Sequence, residues 1–154
     1  MNYRTEKDFL GEKQLPDSAY YGVQTLRGKE NSHITGIPMS SEPYFVKAFG
    51  YVKKAAALAN RDLGVLDARV ANAIAAACDR LIAGEMCDQF VTDFIQGGAG
   101  TSTNMNANEV IANLALERLG YKKGEYQHVN PNDHVNFTPL VGCRITVFAR
   151  KKGD

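Results

Sequence analysis

The residues with most chemical promise form one run, Gln96-Gly97-Gly98-Ala99-Gly100-Thr101-Ser102-Thr103-Asn104. Glycines let a backbone approach a ligand closely. A helix opening after them presents unpaired N–H groups and the positive end of its dipole, with Thr and Ser hydroxyls beside them. That is an anion site assembled without Lys or Arg. It is not a phosphate-binding P-loop, whose pattern demands a lysine, nor a dinucleotide fingerprint, whose glycine spacing differs. A tight turn with ordinary capping uses the same residue types, so the local pattern leaves both readings open.

A second polar cluster is Asn130-Pro131-Asn132-Asp133-His134-Val135-Asn136. Proline fixes a turn, and Asn and Asp side chains bond their own backbone. The plain reading is a self-bonded loop; the sharper one makes Asn132, Asp133 and His134 polar ligand contacts, with His134 able to titrate near neutrality. His33 and His128 stand in ordinary surroundings, and no H-E-x-x-H or comparable metal spacing occurs. Cys78, Cys87 and Cys143 are odd in number, well separated and without a C-x-x-C pair. They read as small buried hydrophobes in a reducing cytoplasm. Lys53-Lys54, Lys122-Lys123 and Arg150-Lys151-Lys152 read as solvated helix faces or ends, too short for a nucleic-acid stripe.

The elements that must position these residues follow from periodicity and punctuation. Gly11, Pro16-Asp17-Ser18, Gly22, Gly28, Gly36 and Pro38 break the first forty residues into an irregular lobe with one hairpin around Gly11. Tyr20-Tyr21 reads as a packing corner. A helix is predicted from near Ser41, with Pro43 in its first turn, to Gly64. Two adjoining stripes, Phe45/Phe49/Val52/Ala56/Ala59 and Tyr44/Ala48/Tyr51/Ala55/Leu58, predict cover over much of its circumference. A second helix runs from an Asp67 cap to Gly84, with Val70, Ile74, Ala77 and Leu81 on one face and an Ala-rich middle that permits close approach. A third spans 101–119, with Val110, Ile111, Leu114, Leu116 and Leu119 as its apolar face. Its opening is rich in Thr, Ser and Asn, poor helix formers whose hydrogen-bonding capacity must be spent on something.

Length and composition set the frame. The chain has 154 residues, suited to one domain with a core of its own, and its 44% hydrophobic content is ordinary for a soluble fold. Lys plus Arg (18) nearly balances Asp plus Glu (17), for a net charge of +1. No long-range field draws it to nucleic acid or an anionic membrane. No stretch is long and apolar enough for a membrane span, and the charged N-terminus lacks a signal-peptide pattern.

Several separated motifs together resemble the aspartase/fumarase superfamily, and within it the aspartate ammonia-lyases. They are Glu6-Lys7-Asp8-Phe9-Leu10-Gly11, Tyr20-Tyr21-Gly22-Val23-Gln24-Thr25-Leu26-Arg27, Val52-Lys53-Lys54-Ala55-Ala56-Ala57, Gln96 to Glu109, and Lys123-Gly124-Glu125-Tyr126 running into Asn130 to Asn136. The resemblance implies a mainly α fold: residues 1–136 as the superfamily's N-terminal helical domain with a small irregular lobe, and 137–154 as a divergent, truncated stretch. Class II fumarate hydratases are similar here but carry a Ser-Gly-Thr-Gln-Ser type of loop where this chain has Gly98-Ala99-Gly100-Thr101-Ser102. They also place His before the Pro-Asn-Asp where this chain has Asn130.

The resemblance implies reversible deamination of L-aspartate to fumarate and ammonium. Thr101 matches the family threonine that binds the reacting carboxylate, and Ser102 and Asn104 lie in the same substrate loop. After Asn136 the family's Gln-Ser-Thr-Asn-Asp segment is replaced by Phe137-Thr138-Pro139-Leu140-Val141-Gly142-Cys143. The family's Gly-Ser-Ser loop with its serine base is absent too, so no catalytic residue is assigned and the isolated chain is expected to be inactive. The intact family enzyme is a homotetramer whose active sites draw on three subunits. Mg2+ is an implied activator, with no ligand set to name here. The alternatives are a hydratase fragment, a non-catalytic domain that binds dicarboxylates or pairs with a full-length subunit, and a purely structural helical domain.

Overall fold

Residues on either side of Gly11 pair as a hairpin. Strand β1 (Tyr3–Asp8) lies antiparallel to β2 (Gly11–Pro16), with Tyr3 opposite Pro16 and Asp8 opposite Gly11. The computed structural model describes residues 2–137. The expected hairpin is present, but the lobe is not irregular throughout, because Val23–Asn31 form a helix, α1. Its N-cap, Gly22, has no capping side chain. Distant carboxylates supply the cap. Glu109 accepts from the N–H groups of Gly22, Gln24 and Thr25 at 2.9, 3.0 and 3.0 Å and from the Thr25 hydroxyl at 2.6 Å, while Glu6 takes the Val23 N–H at 2.9 Å. All the first-turn donors of α1 are thereby satisfied at the positive end of its dipole.

Helices α2 (Pro43–Asp62) and α3 (Ala68–Ala83) lie where periodicity predicts them. Pro43 opens α2, and the Asp67 carboxylate caps α3 by accepting from the N–H groups of Arg69 and Val70 at 2.9 and 3.1 Å. The two helices pack closely at Gly50, where an added Cβ would meet Ile82 Cγ1 at 2.9 Å and the Cys78 carbonyl oxygen at 3.0 Å.

The buried line of α2 differs from both expected stripes. It runs Val46, Phe49, Gly50, Lys53, Ala57, Asn60, while Tyr44, Tyr51, Ala55 and Ala59 are exposed. A line holding a lysine, an asparagine and a glycine is invisible to hydropathy. Lys53 is therefore not on a solvated face. Its neighbour Lys54 is partly exposed and pairs with Asp79 at 2.6 Å, as a surface lysine would.

Helix α4 (Thr101–Arg118) threads the centre, and every residue from Met105 to Leu116 is buried. The expected apolar face is thus one side of a helix covered all round. Its buried polar side chains are mostly spent on neighbours. Asn106 accepts from the Val91 N–H at 3.0 Å and donates to the Gln89 carbonyl at 2.9 Å; Asn113 donates to the Tyr20 carbonyl at 2.8 Å and the Tyr126 hydroxyl at 3.0 Å. Tyr20 and Tyr21 pack against the core. Cys78 is buried and Cys87 half-buried, both as free thiols. His33 is exposed, and His128 stacks on Tyr121 at 3.8 Å. Of the divergent stretch only Phe137 is among the described residues; Cys143, Arg150, Lys151 and Lys152 lie outside them.

Candidate functional site

The glycine-rich run makes a sharp left-handed turn into α4. Gly98, Ala99 and Gly100 have φ of 71°, 56° and 83°. Glycine adopts this region freely, whereas Ala99 does so at a cost of roughly 1–2 kcal/mol. Backbone held there by its surroundings is the kind of strain that gathers at ligand clamps. The helix that follows has no side-chain cap at Gly100. Instead the Gln96 amide reaches across the turn: its Oε1 accepts from the Thr103 N–H at 2.7 Å and its Nε2 donates to the Thr103 hydroxyl.

Each residue expected at this site has a definite place. Thr101 is exposed, and its hydroxyl donates to the Gly98 carbonyl at 2.6 Å, tying the turn shut. Ser102 is half-buried against α1, where a Cβ on Gly28 would come within 3.1 Å of the serine Cβ. Asn104 Nδ2 donates to Asn136 Oδ1 at 3.1 Å. The tight turn with capping is what these contacts show: Gln96 caps Thr103, and Thr101 closes the turn onto the Gly98 carbonyl.

The second cluster folds as a π-helical turn over Pro131–Val135. The Asn130 side chain accepts from the N–H groups of Asn132 and Asp133 at 2.8 and 3.1 Å, and His134 Nδ1 accepts from the Asn130 N–H at 3.0 Å. The self-bonded loop is what forms. Asn132 and Asp133 keep exposed side chains. Asn132 borders an open groove of about 460 Å³ with Asp8, Phe9, Leu10, Gln24 and Arg27. There the Arg27 guanidinium grips Asp8 at 2.7 and 2.8 Å and draws its carboxyl below the usual range.

Asn136, not Asn132, Asp133 or His134, joins the two clusters. Its Oδ1 accepts from Asn104 and also from Lys53 Nζ, at 2.8 Å. Lys53 is 3% exposed. Burial pushes its ammonium pKa down to about 8, and burial likewise drives the Cys78 thiol up to about 12. Sequence reading missed this lysine because it sits in a doublet typical of a wet helix face. The only cue was the helical spacing of Lys53 between Phe49 and Ala57.

Two things are not assembled here. Among the described residues no three His, Cys, Asp or Glu side chains gather to hold a metal ion. Nor, among them, is any serine hydroxyl hydrogen-bonded to a histidine, lysine or carboxylate that could make it a base.

The family model described as Lyase matches residues 11–139. The chain belongs to this lyase family. Curated relatives of this lyase domain include the aspartate ammonia-lyases of Helicobacter pylori (strain J99), 59% identical over 133 residues, and of Pseudomonas fluorescens, 57% identical over 135. They cover 86% and 88% of this chain. The lyase domain spans only 28% of the length of each. Among solved structures, the fumarate lyase:delta crystallin of Brucella melitensis superposes with a TM-score of 0.86 at 52% identity, over 88% of this chain and 29% of that one. A class II fumarase from Schistosoma mansoni gives 0.81 at 34% identity, over 88% of this chain and 28% of that one. The mainly helical fold with a small two-stranded sheet is that of the lyase family.

Proposed function

We propose that this lyase domain supplies the carboxylate-binding segment of an aspartate ammonia-lyase, which reversibly deaminates L-aspartate to fumarate and ammonium. One observation carries the reading: Thr101, Ser102 and Asn104 stand in the opening turn of α4, directly after a strained glycine turn and within the span matched to the lyase family. Removing a proton beside a carboxylate moves negative charge onto that carboxylate's oxygens. Neutral donors already in place, together with a helix N-terminus, stabilise such charge without reorganisation. Thr101 is the first contact, with Ser102 and Asn104 beside it. Asn132, Asp133 and His134 serve the loop, with only Asn132 and Asp133 offering side chains outward.

The base that takes the proton comes from another segment, so the 154-residue chain binds dicarboxylate without turning it over. In the intact enzyme the segment works within a homotetramer, in a reducing cytoplasm that suits the free Cys78 and Cys87 thiols. No helix among the described residues is long and apolar enough to cross a membrane. The hydratase reading is weaker. Its relative here is 34% identical against 55–59% for ammonia-lyases, and this chain has Asn130 and Gly98-Ala99-Gly100 where hydratases differ.

Calorimetry with succinate and fumarate tests the reading. The expected result is saturable binding that Thr101→Val weakens about tenfold, the worth of one hydrogen bond to a charged group. Absence of binding, or steady fumarate formation from aspartate by this chain alone, overturns it.

A further inference from the structure

An ammonium buried without a carboxylate is costly, and burial of a charge is ordinarily tolerated only when it is paired. Among the described residues Lys53 has no carboxylate within ion-pair distance, yet it lies on the buried line of α2 between Phe49 and Ala57. An apolar residue there would stabilise the core more simply. Among the described residues the one polar side-chain contact of Lys53 is the Asn136 side-chain oxygen at 2.8 Å. That oxygen also accepts from Asn104 Nδ2 at 3.1 Å. Two donors converging on one oxygen fix the orientation of the Asn136 amide. Turned over, its NH2 would face an ammonium and another NH2. Seven residues along α2, buried Asn60 donates through Nδ2 to the Phe137 carbonyl at 2.6 Å. Helix α2 therefore holds two successive residues at the exit of the polar loop, each from its buried line.

We propose that Lys53 is a positioning residue: it sets the Asn136 amide and, through it, Asn104 on the carboxylate-binding start of α4. The role rests on the reading that this helix start takes a substrate carboxylate. Lys53 itself is covered and does not touch the ligand. Its charge makes the contact with Asn136 stronger than a neutral donor could, and charge-assisted bonds of this kind also fix geometry. Asn104 is one turn from Thr101 on the same side of α4, so the orientation of its amide decides what that side offers next to the threonine.

Lys53→Met in the full 154-residue chain is the test, read by succinate calorimetry, by thermal unfolding and by the side-chain amide NMR signals of Asn104 and Asn136. Methionine fills the volume without the charge. The expected result is affinity lower by about tenfold, displaced amide signals, and a melting temperature equal to or above that of the unaltered chain. Affinity and stability then move in opposite directions, which a purely structural lysine would not produce. Asn136→Ala, at an exposed position, is the second variant and should weaken succinate binding to a similar degree while Lys53 remains. Unchanged affinity in either variant overturns the role of Lys53 alone. Failure of the unaltered chain to bind succinate overturns the site reading and the role of Lys53 with it.

Discussion

A buried lysine with a depressed pKa has a consequence for stability that a surface lysine lacks. Folding takes Lys53 from an ordinary value of 10.5 to about 8. Between those values the unfolded chain binds more protons, so stability rises with pH through that window, by up to about 3 kcal/mol at its upper end. Below pH 8 both states are protonated and the burial cost is present in full. The melting temperature of the chain should therefore climb between pH 7.5 and 9.5, and that of Lys53→Met should climb less. A parallel rise in both proteins would contradict the assignment. The residue scale is also where sequence reading was least complete. Thr101, Ser102 and Asn104 were named through the family resemblance of the Gln96–Glu109 run, but the partner that orients Asn104 was not legible. Lys53 and Asn136 are 83 residues apart and meet only when α2 packs beside the loop.

At the scale of elements, α1 shows why a helix can escape notice. Its sequence has no cap and no strong apolar period, because its first-turn donors are satisfied from β1 and α4 rather than locally. Burial raises the Glu109 carboxyl, while the Thr25 hydroxyl and the N–H groups of Thr25 and Gln24 pull it back down. Gly22 leaves the room this needs, since a Cβ there would lie 2.5 Å from the Tyr126 hydroxyl and 2.7 Å from Glu109 Cδ. Glu109→Gln turns one acceptor into a donor against donors. It should cost about 2–3 kcal/mol in urea unfolding. Hydrogen exchange should locate the loss in residues 22–26 of α1, with α3 amides keeping their order. Equal loosening of α3 would show that Glu109 supports the whole core instead. Helices α2, α3 and α4 were legible because Pro43, Asp67, Gly84 and Gly100 punctuate them locally; the buried line of α2 was not, because two of its members are polar.

Across the whole molecule, carboxylates tie segments that are distant in sequence. Asp93 holds the turn at residues 35–36, accepting from the Thr35 and Gly36 N–H groups at 3.0 and 2.9 Å and from the Thr35 hydroxyl at 2.8 Å. Burial works to raise its pKa, but these donors and the Ile95 N–H outweigh it and bring it to about 2. Asp8 is lowered by its grip on Arg27. Both are depressed on folding, so the stability they give is complete well above their ordinary value of 3.8 and is lost as pH falls through it, for Asp93 down to about 2. Urea midpoints should drop between pH 5 and pH 3, and Asp93→Asn should flatten the drop. A profile identical to that of the unaltered chain would remove Asp93 from this account.

The sequence by itself determined the three long helices, the hairpin, the absence of a metal or phosphate-loop pattern, and a glycine turn leading into Thr101. These depend on periodicity, turn residues and caps, which act over a few residues. Tertiary structure alone decided that α1 exists, that Lys53 is inside, and that Asn136 links the two polar clusters. Each of those depends on donors and acceptors brought together across long stretches of chain. A buried charge or amide looks in sequence like any surface polar residue until packing removes it from water.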